Sequence, residues 1–355
     1  MGDVLRSQPS LDIKLKSTEL QYLEFKRFDI TVNEDETKEN APNYGDQSVI
    51  LVEEPEEEQK KSITLRDKLT HSEETANHIP MSASIVSAFE GNKCQTELIK
   101  QKYKLAEKLA EISPDTKNVM RHLHPKCPEK IEELIIFTEY EGDLLPLSAL
   151  ITTRQFRVSL VPQFTCQILA GLSVLHKHGI IHKDIRCSNI LVQKPVKEAT
   201  YTLKIAHFEK ASFDSNKSSL GEHDICPEGS SQFSSPEMQE LTFDIKDQCN
   251  RIGTATDVYS LGCTVIEMVQ RSPPRWIYYK DGRMMQYNFK PERTLTEFVI
   301  NLHTLSINQA EPDTSALGSQ GDAVKFVKAC IARFPDERST CEELQKHAFI
   351  TKPEM

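Results

Sequence analysis

The chain has 355 residues, 38% of them hydrophobic and 27% charged, with a formal net charge of −10. That length suits one large bilobal domain or two modest ones, and the acidic balance argues against general nucleic-acid or anionic-membrane binding. No run of about 18 apolar residues predicts a membrane span, the start lacks the apolar centre of a signal peptide, and nine scattered cysteines without a CxxC pair fit reduced thiols of the cytosol or nucleus, not a disulfide framework or a zinc site.

Residues 1–80 read as a divergent N-terminal region. Leu20 to Val32 alternates in its second half and suits a strand, and Ser48 to Glu53 suits a second short one. Glu53 to Glu58, with four more Glu or Pro between them, predicts a solvated acidic segment. Ala83 to Phe89 reads as a strand. Gln95 to Ile112 reads as a helix carrying Leu98, Leu105, Leu109 and Ile112 on one side, ended by Pro114. Glu133 to Tyr140 is a short apolar run with β-branched and aromatic members, the signature of a buried strand.

From Leu145 onward the pattern is mainly helical. Leu160 to His178 predicts a helix, with Pro162 in its first turn, Gly179 at its stop, and Phe164, Ile168, Leu172 and Leu175 at core spacing. Short strands are expected at Ile190 to Gln193 and Tyr201 to Ile205. Ser212 to Ser235 is Ser-rich and offers hydroxyls for phosphorylation. Thr256 to Gln270 is almost wholly apolar and predicts a deeply buried helix, and Glu311 to Gln320 predicts a polar loop. Asp322 is placed as the cap of a helix from Ala323 to Phe334. Ser339 or Thr340, each followed three residues later by Glu, is placed as the cap of the last helix. The expected fold class is α+β: two lobes joined near Tyr140 to Asp143, a strand-bearing 81–141 and a helical 142–350, with a tail at 351–355.

The most informative run is Ile181-His182-Lys183-Asp184-Ile185-Arg186-Cys187-Ser188-Asn189. It supplies an Asp and an Asn five residues apart on a tight loop. Phosphoryl transfer needs such a pair, one to receive a hydroxyl proton and one to hold a metal ion. Both residue types also satisfy nearby backbone amides, so loop structure accounts for them as well as catalysis does.

Taken in order, these signals resemble the eukaryotic protein kinases over about residues 82–350. The run at 181–189 is similar to the kinase catalytic loop, with Lys183 where Arg is usual. Ser235-Pro236-Glu237 resembles the motif closing the activation segment, and Asp257-Val258-Tyr259-Ser260-Leu261-Gly262 the start of the central buried helix. Gly262 to Met268 with Pro273-Pro274-Arg275-Trp276 is similar to sterile-type kinases acting above MAP kinase kinases. The resemblance implies a bilobal fold and a set of roles. Asp184 is the general base and Asn189 a metal ligand. Thr138 lies at the back of an adenine pocket, with Glu139, Tyr140 and Glu141 as the hinge. His182 and Phe208 stack through the centre. Asp257 bonds catalytic-loop amides, and Glu237 pairs with Arg338. Lys183 offers a cation to a phosphate on the Ser-rich loop.

The pattern departs from the family in three places. Gly2, Gly45 and Gly91 are the only glycines before Gly142, so no glycine-rich loop covers the phosphates. The strand near Ile85 to Phe89 has no Lys, and Lys93 is the nearest substitute. The acid on the following helix is Glu107 by its distance to Asn118, or Glu111 or Glu97 in another register. Third, His207-Phe208-Glu209 stands where a metal-binding Asp and a Gly belong. Magnesium prefers oxygen ligands and imidazole suits other metals, so His207 is a poor metal ligand and ATP and magnesium binding is expected to be weak or absent. The chain therefore reads as a pseudokinase, a signalling scaffold or allosteric regulator whose partners are signalling proteins such as an active kinase. The alternative is an atypical Ser/Thr kinase with Asp184 as base, and a third reading binds nucleotide without catalysis.

Overall fold

The computed structural model describes residues 24–31, 50–51, 81–87, 93–123, 125, 133–139, 144–193, 200–214, 232–240, 252–280, 283–287, 310–318 and 321–352. Strands β1 (Glu24–Thr31), β2 (Ile50–Leu51), β3 (Met81–Ser87) and β4 (Glu133–Glu139) form an antiparallel sheet in the order β2-β1-β3-β4. Their register pairs Ile85 with Ile135 and Phe28 with Ala83. The acidic run 53–58, the junction 140–143 and the Ser-rich stretch between 215 and 231 lie outside the described residues.

Helix α1 (Lys93–Ile112) crosses between β3 and β4 in the chain. It buries Ile99, Leu105, Ala106, Leu109 and Ile112, the i, i+3, i+4 rows that a helix presents to one side. A 3₁₀ turn at Ser113–Asp115, with Pro114 at its start, ends it. The next residues stitch the two lobes together. Met120 N–H donates to Ile205 O at 2.8 Å and Ile205 N–H to Asn118 O at 2.9 Å, while His122 bridges Thr138 in β4.

The helical lobe begins with β5 (Leu144–Pro146), α2 (Leu147–Ile151) and α3 (Val161–Lys177). Val158–Lys177 is long and apolar enough on average (mean hydropathy 1.6) to cross a membrane by composition alone. Polar residues interrupt the stretch at helical spacing, so it holds no unbroken apolar run of that length. Its apolar side is core: Phe164, Ile168, Leu172 and Leu175 are buried. Strands β6 (Ile180–Ile181), β7 (Ile190–Gln193), β8 (Thr202–Ile205) and β9 (Ser212–Phe213) form two small antiparallel sheets, β5-β7-β8 and β6-β9. After α4 (Pro236–Glu240), helix α5 (Thr254–Gln270) is buried from Thr256 to Met268.

Gly171 lets α3 lie against the segment joining the lobes. A Cβ there would sit 2.6 Å from the Asn118 carbonyl oxygen and 2.8 Å from Ile205 Cδ1. The oxygen belongs to the backbone hydrogen bond to Ile205 and has nowhere to move. Gly171→Ala is therefore expected to destabilise the fold by about 1–3 kcal/mol, read as a lower midpoint in urea denaturation.

Three features of the C-terminal part differ from the sequence expectation. Strands β10 (Trp276–Lys280), β11 (Arg283–Tyr287) and β12 (Glu311–Pro312) form a three-stranded sheet in a region read as helical, and Glu311 to Gln320 is therefore not all loop. The signal was available: aromatic Trp-Ile-Tyr-Tyr precedes Asp281-Gly282, a two-residue hairpin sequence. Helix α6 runs Asp322–Cys330 with Gly321 as its N-cap, so Asp322 is inside the helix, pairing with Lys325 at 3.2 Å. It stops short of Phe334 because Pro335 opens a 3₁₀ turn and Ser339 N–H closes back on Ala329 O. Of the two proposed caps for α7 (Cys341–Gln345), Thr340 forms a capping box with Glu343. Helix α8 (Ala348–Thr351) closes the described chain.

Candidate functional site

The loop 182–189 is held from below by α5. Asp257, buried in the first turn of α5, accepts from His182 N–H at 2.9 Å and Lys183 N–H at 2.8 Å, one on each carboxylate oxygen. Lys183 adopts a left-handed conformation (φ 65°) between those bonds and Asp184. Such a backbone costs an L-residue roughly 1–2 kcal/mol, which the two charge-assisted bonds offset. Farther along, Thr264 Oγ1 donates to Ile185 O at 3.2 Å and Glu267 accepts from Cys187 N–H at 2.9 Å. Burial pushes the Glu267 carboxyl above its ordinary range.

Sequence reasoning missed the residue behind Asp257. His176, in the last turn of α3, places Nε2 2.9 Å from Asp257 Oδ2 and Nδ1 3.5 Å from Cys341 Sγ. Burial disfavours the charged ring, but the Asp257 hydrogen bond and the Cys341 contact outweigh it and raise the His176 pKa to about 9. Asp257 in turn is held below the usual carboxylate range: burial opposes this, and the His176 bond overcomes it.

Asp184 and Asn189 are brought together. Asn189 Nδ2 donates to Asp184 O at 2.8 Å, and Asn189 O accepts from Ala206 N–H at 3.0 Å. The Asp184 carboxylate faces two cations, Lys210 Nζ at 3.1 Å and Arg186 Nε at 3.4 Å. Burial would raise its pKa, but Lys210 and then Arg186 hold it below the ordinary value. Neither cation has a role in the sequence reading, although Arg186 lies inside the run 181–189 and Lys210 directly follows Glu209.

His207 is left-handed (φ 67°, ψ 62°) and leads into a 3₁₀ turn at Phe208–Lys210. Its Nδ1 lies 3.8 Å from Glu209 Oε1. Phe208 stands between two imidazoles, edge to face with His182 at 4.8 Å and with His122 at 5.0 Å between centroids. His182 Nε2 bonds Ala206 O and His122 Nδ1 bonds Met120 O. Burial lowers the His122 pKa to about 4. Nothing local in the sequence marks His122 as the end of this column.

The inward side of α1 carries a base. Lys102, buried, donates from Nζ to Ala211 O at 2.6 Å, just beyond the His207 turn. Glu107 accepts from Tyr103 OH at 2.7 Å on its own helix, and Glu111 pairs with Lys108 at 2.8 Å on the exposed side. The side chains of Glu97 and Lys93, both within α1, lie outside the described residues, as do Tyr140, Glu141 and the Glu139 side chain. β3 reads Met-Ser-Ala-Ser-Ile-Val-Ser, with neither Lys nor Gly. Thr138 is half-buried, paired through its backbone with His122.

Below the cleft, Arg338 NH1 and NH2 donate to the two Glu237 oxygens at 2.7 Å each. Thr256 adds a third bond to the carboxylate, and the guanidinium lies over the Tyr259 ring at 5.0 Å.

This donor set does not suit magnesium. The ion prefers an octahedron of oxygen ligands. Asn189, its amide nitrogen bonded to Asp184 O, offers one oxygen, but His207 presents an imidazole, and no group of three His, Cys, Asp or Glu among the described residues converges on a metal-sized point. Two cations already lie against the Asp184 carboxylate.

The chain matches the protein kinase domain over residues 116–350, well over half its length. It is 35% identical to mitogen-activated protein kinase kinase kinase 1 of Arabidopsis thaliana over 223 residues, 62% of this chain and 30% of that protein. It is 35% identical to mitogen-activated protein kinase kinase kinase 9 of the same plant over 224 residues, 62% of this chain and 24% of that protein. With cell division control protein 7 of Schizosaccharomyces pombe it shares 31% identity over 192 residues, 54% of this chain and 14% of that protein. The chain thus spans less than a third of the length of these relatives.

Proposed function

Since the chain belongs to the protein kinase family, and its cleft has kept the catalytic loop but changed the residues around it, we propose that it works as a pseudokinase, a signalling scaffold or allosteric regulator. The observation that carries this reading is the charge arrangement at the metal position. His207 and Glu209 stand there, while Lys210 and Arg186 lie on Asp184. A bound metal supplies several kcal/mol of transition-state stabilisation, and losing about 4 kcal/mol slows a reaction roughly a thousandfold. The similarity to proteins named as MAP kinase kinase kinases supports signalling proteins as partners, and we propose an active kinase among them.

The second reading is an atypical Ser/Thr kinase in which Asp184 accepts a substrate hydroxyl proton. The Asn189–Asp184 hydrogen bond favours it, and in it Thr138 to Glu141 meet the adenine. A thermal-shift titration with ATP, with and without magnesium, separates the readings. The pseudokinase reading expects no shift in either series and no phosphoryl transfer. Transfer that disappears in Asp184→Asn would overturn it. A shift that needs magnesium supports the second reading. A shift that ignores magnesium and survives Asp184→Asn marks nucleotide binding without catalysis.

A further inference from the structure

The described cysteines differ in their neighbours. Burial pushes the thiols of Cys187, Cys263 and Cys330 up, and Cys166 is exposed on α3. Cys341 is different. It opens α7 beside His176, whose opposite ring nitrogen is bonded to Asp257. A thiol, an imidazole and a carboxylate therefore stand in line, so the ring can hand a proton to a group leaving at the sulfur while the carboxylate orients the ring. Asp257 also holds the His182 and Lys183 amides. The thiol is thus one imidazole away from the carboxylate that shapes the catalytic loop.

We infer that Cys341 is a peroxide-sensitive modification site, activated by His176 and wired through Asp257 to the loop 182–189. Sγ attacks one peroxide oxygen, an S–O bond forms and the O–O bond breaks. The proton held between Sγ and Nδ1 passes to the departing oxygen, which leaves as water. Sulfur loses two electrons to the peroxide and becomes a sulfenic acid, a reversible product that thiols reduce. Cys341 is only 5% exposed, so a molecule about the size of two waters is the class of oxidant that fits, and the added oxygen has little free space. Either the His176 ring or the start of α7 must shift to hold it. A shifted ring weakens the bond that holds the Asp257 carboxylate against the loop amides. The inference does not depend on whether the protein transfers phosphate.

The test uses the reduced full chain, hydrogen peroxide, and a dione that traps sulfenic acid, with each cysteine peptide quantified by mass spectrometry. Cys341 is expected to be trapped ahead of Cys187, Cys263 and Cys330. In His176→Gln the Cys341 rate should fall about tenfold or more, while that of Cys166 stays the same. Hydrogen exchange should quicken at the His182 and Lys183 amides after peroxide treatment of the wild type, and not in Cys341→Ser. Cys341 left intact at doses that convert Cys166 would overturn the site, and an unchanged rate in His176→Gln would overturn its activation. Trapping without altered exchange at the two amides would overturn the link to the loop. The wild-type trapping order and the Cys341→Ser exchange comparison decide the matter even where His176→Gln does not fold.

Discussion

Glu237→Ala is expected to destabilise the folded protein by about 3–5 kcal/mol, the cost of leaving one member of a buried ion pair alone. Arg338 shows why the effect should reach that range. Its guanidinium is almost fully buried, and Glu237 takes two of its donors at 2.7 Å. The remaining donors go to the carbonyls of Ala332, Ala255 and Arg333. These neutral acceptors compensate a cation poorly once the carboxylate is gone. The contact also joins α4 to the turn before α7, so losing it releases two segments far apart in sequence. A fall in the melting temperature on the order of 10 °C is expected for a domain of this size. A double replacement, Glu237→Gln with Arg338→Met, should recover much of the loss, because no unpaired charge is left buried. Urea denaturation of the two variants and the wild type checks both statements.

The second large effect is a stability maximum near pH 6.5, set by two buried histidines of opposite behaviour. His176 has its folded pKa raised from 6.5 to about 9. Between those values the native state binds more protons than the unfolded chain, so its contribution is full below pH 6.5 and is lost as pH rises through 9. His122 has its folded pKa lowered from 6.5 to about 4. There the unfolded chain binds more protons, so stability is lost as pH falls from 6.5 toward 4. Each limb corresponds to about 3 kcal/mol at full extent. His122→Leu should flatten the acid limb relative to the wild type, since the ring at the end of the Phe208 column no longer titrates. His176→Gln should lower stability at neutral pH and flatten the alkaline limb. Unfolding free energies across about pH 4–10 measure both limbs, and a wild-type profile parallel to that of His122→Leu below pH 6.5 would remove His122 as the source.

Several parts of this molecule are legible in its sequence alone. The helices at 161–177 and 254–270 carry core residues at helical spacing, with Pro162 and Gly179 as punctuation, so their extent follows from local pattern. The strands at 190–193 and 202–205 are short and β-branched. The hairpin at 276–287 had no sequence expectation of its own, although Asp281-Gly282 between its two strands is a hairpin signal. Asp at 322 suits a helix cap by residue type, yet Gly321 fills that place and Asp322 turns to Lys325.

The sequence by itself determined which chemical groups are present and which are missing. The catalytic-loop residues are contiguous, and the lack of glycine and of a strand lysine is a matter of counting. Tertiary structure alone decided how charges meet. It turned Lys102, not an acid, toward the start of the activation segment, and set Lys210 on Asp184. It placed His176 against Asp257, 81 positions away, and against Cys341, 165 away. Contacts at such separations leave no periodicity or spacing in the chain. They arise when buried polar groups must find partners during packing, and which partner each finds depends on where the helices stop.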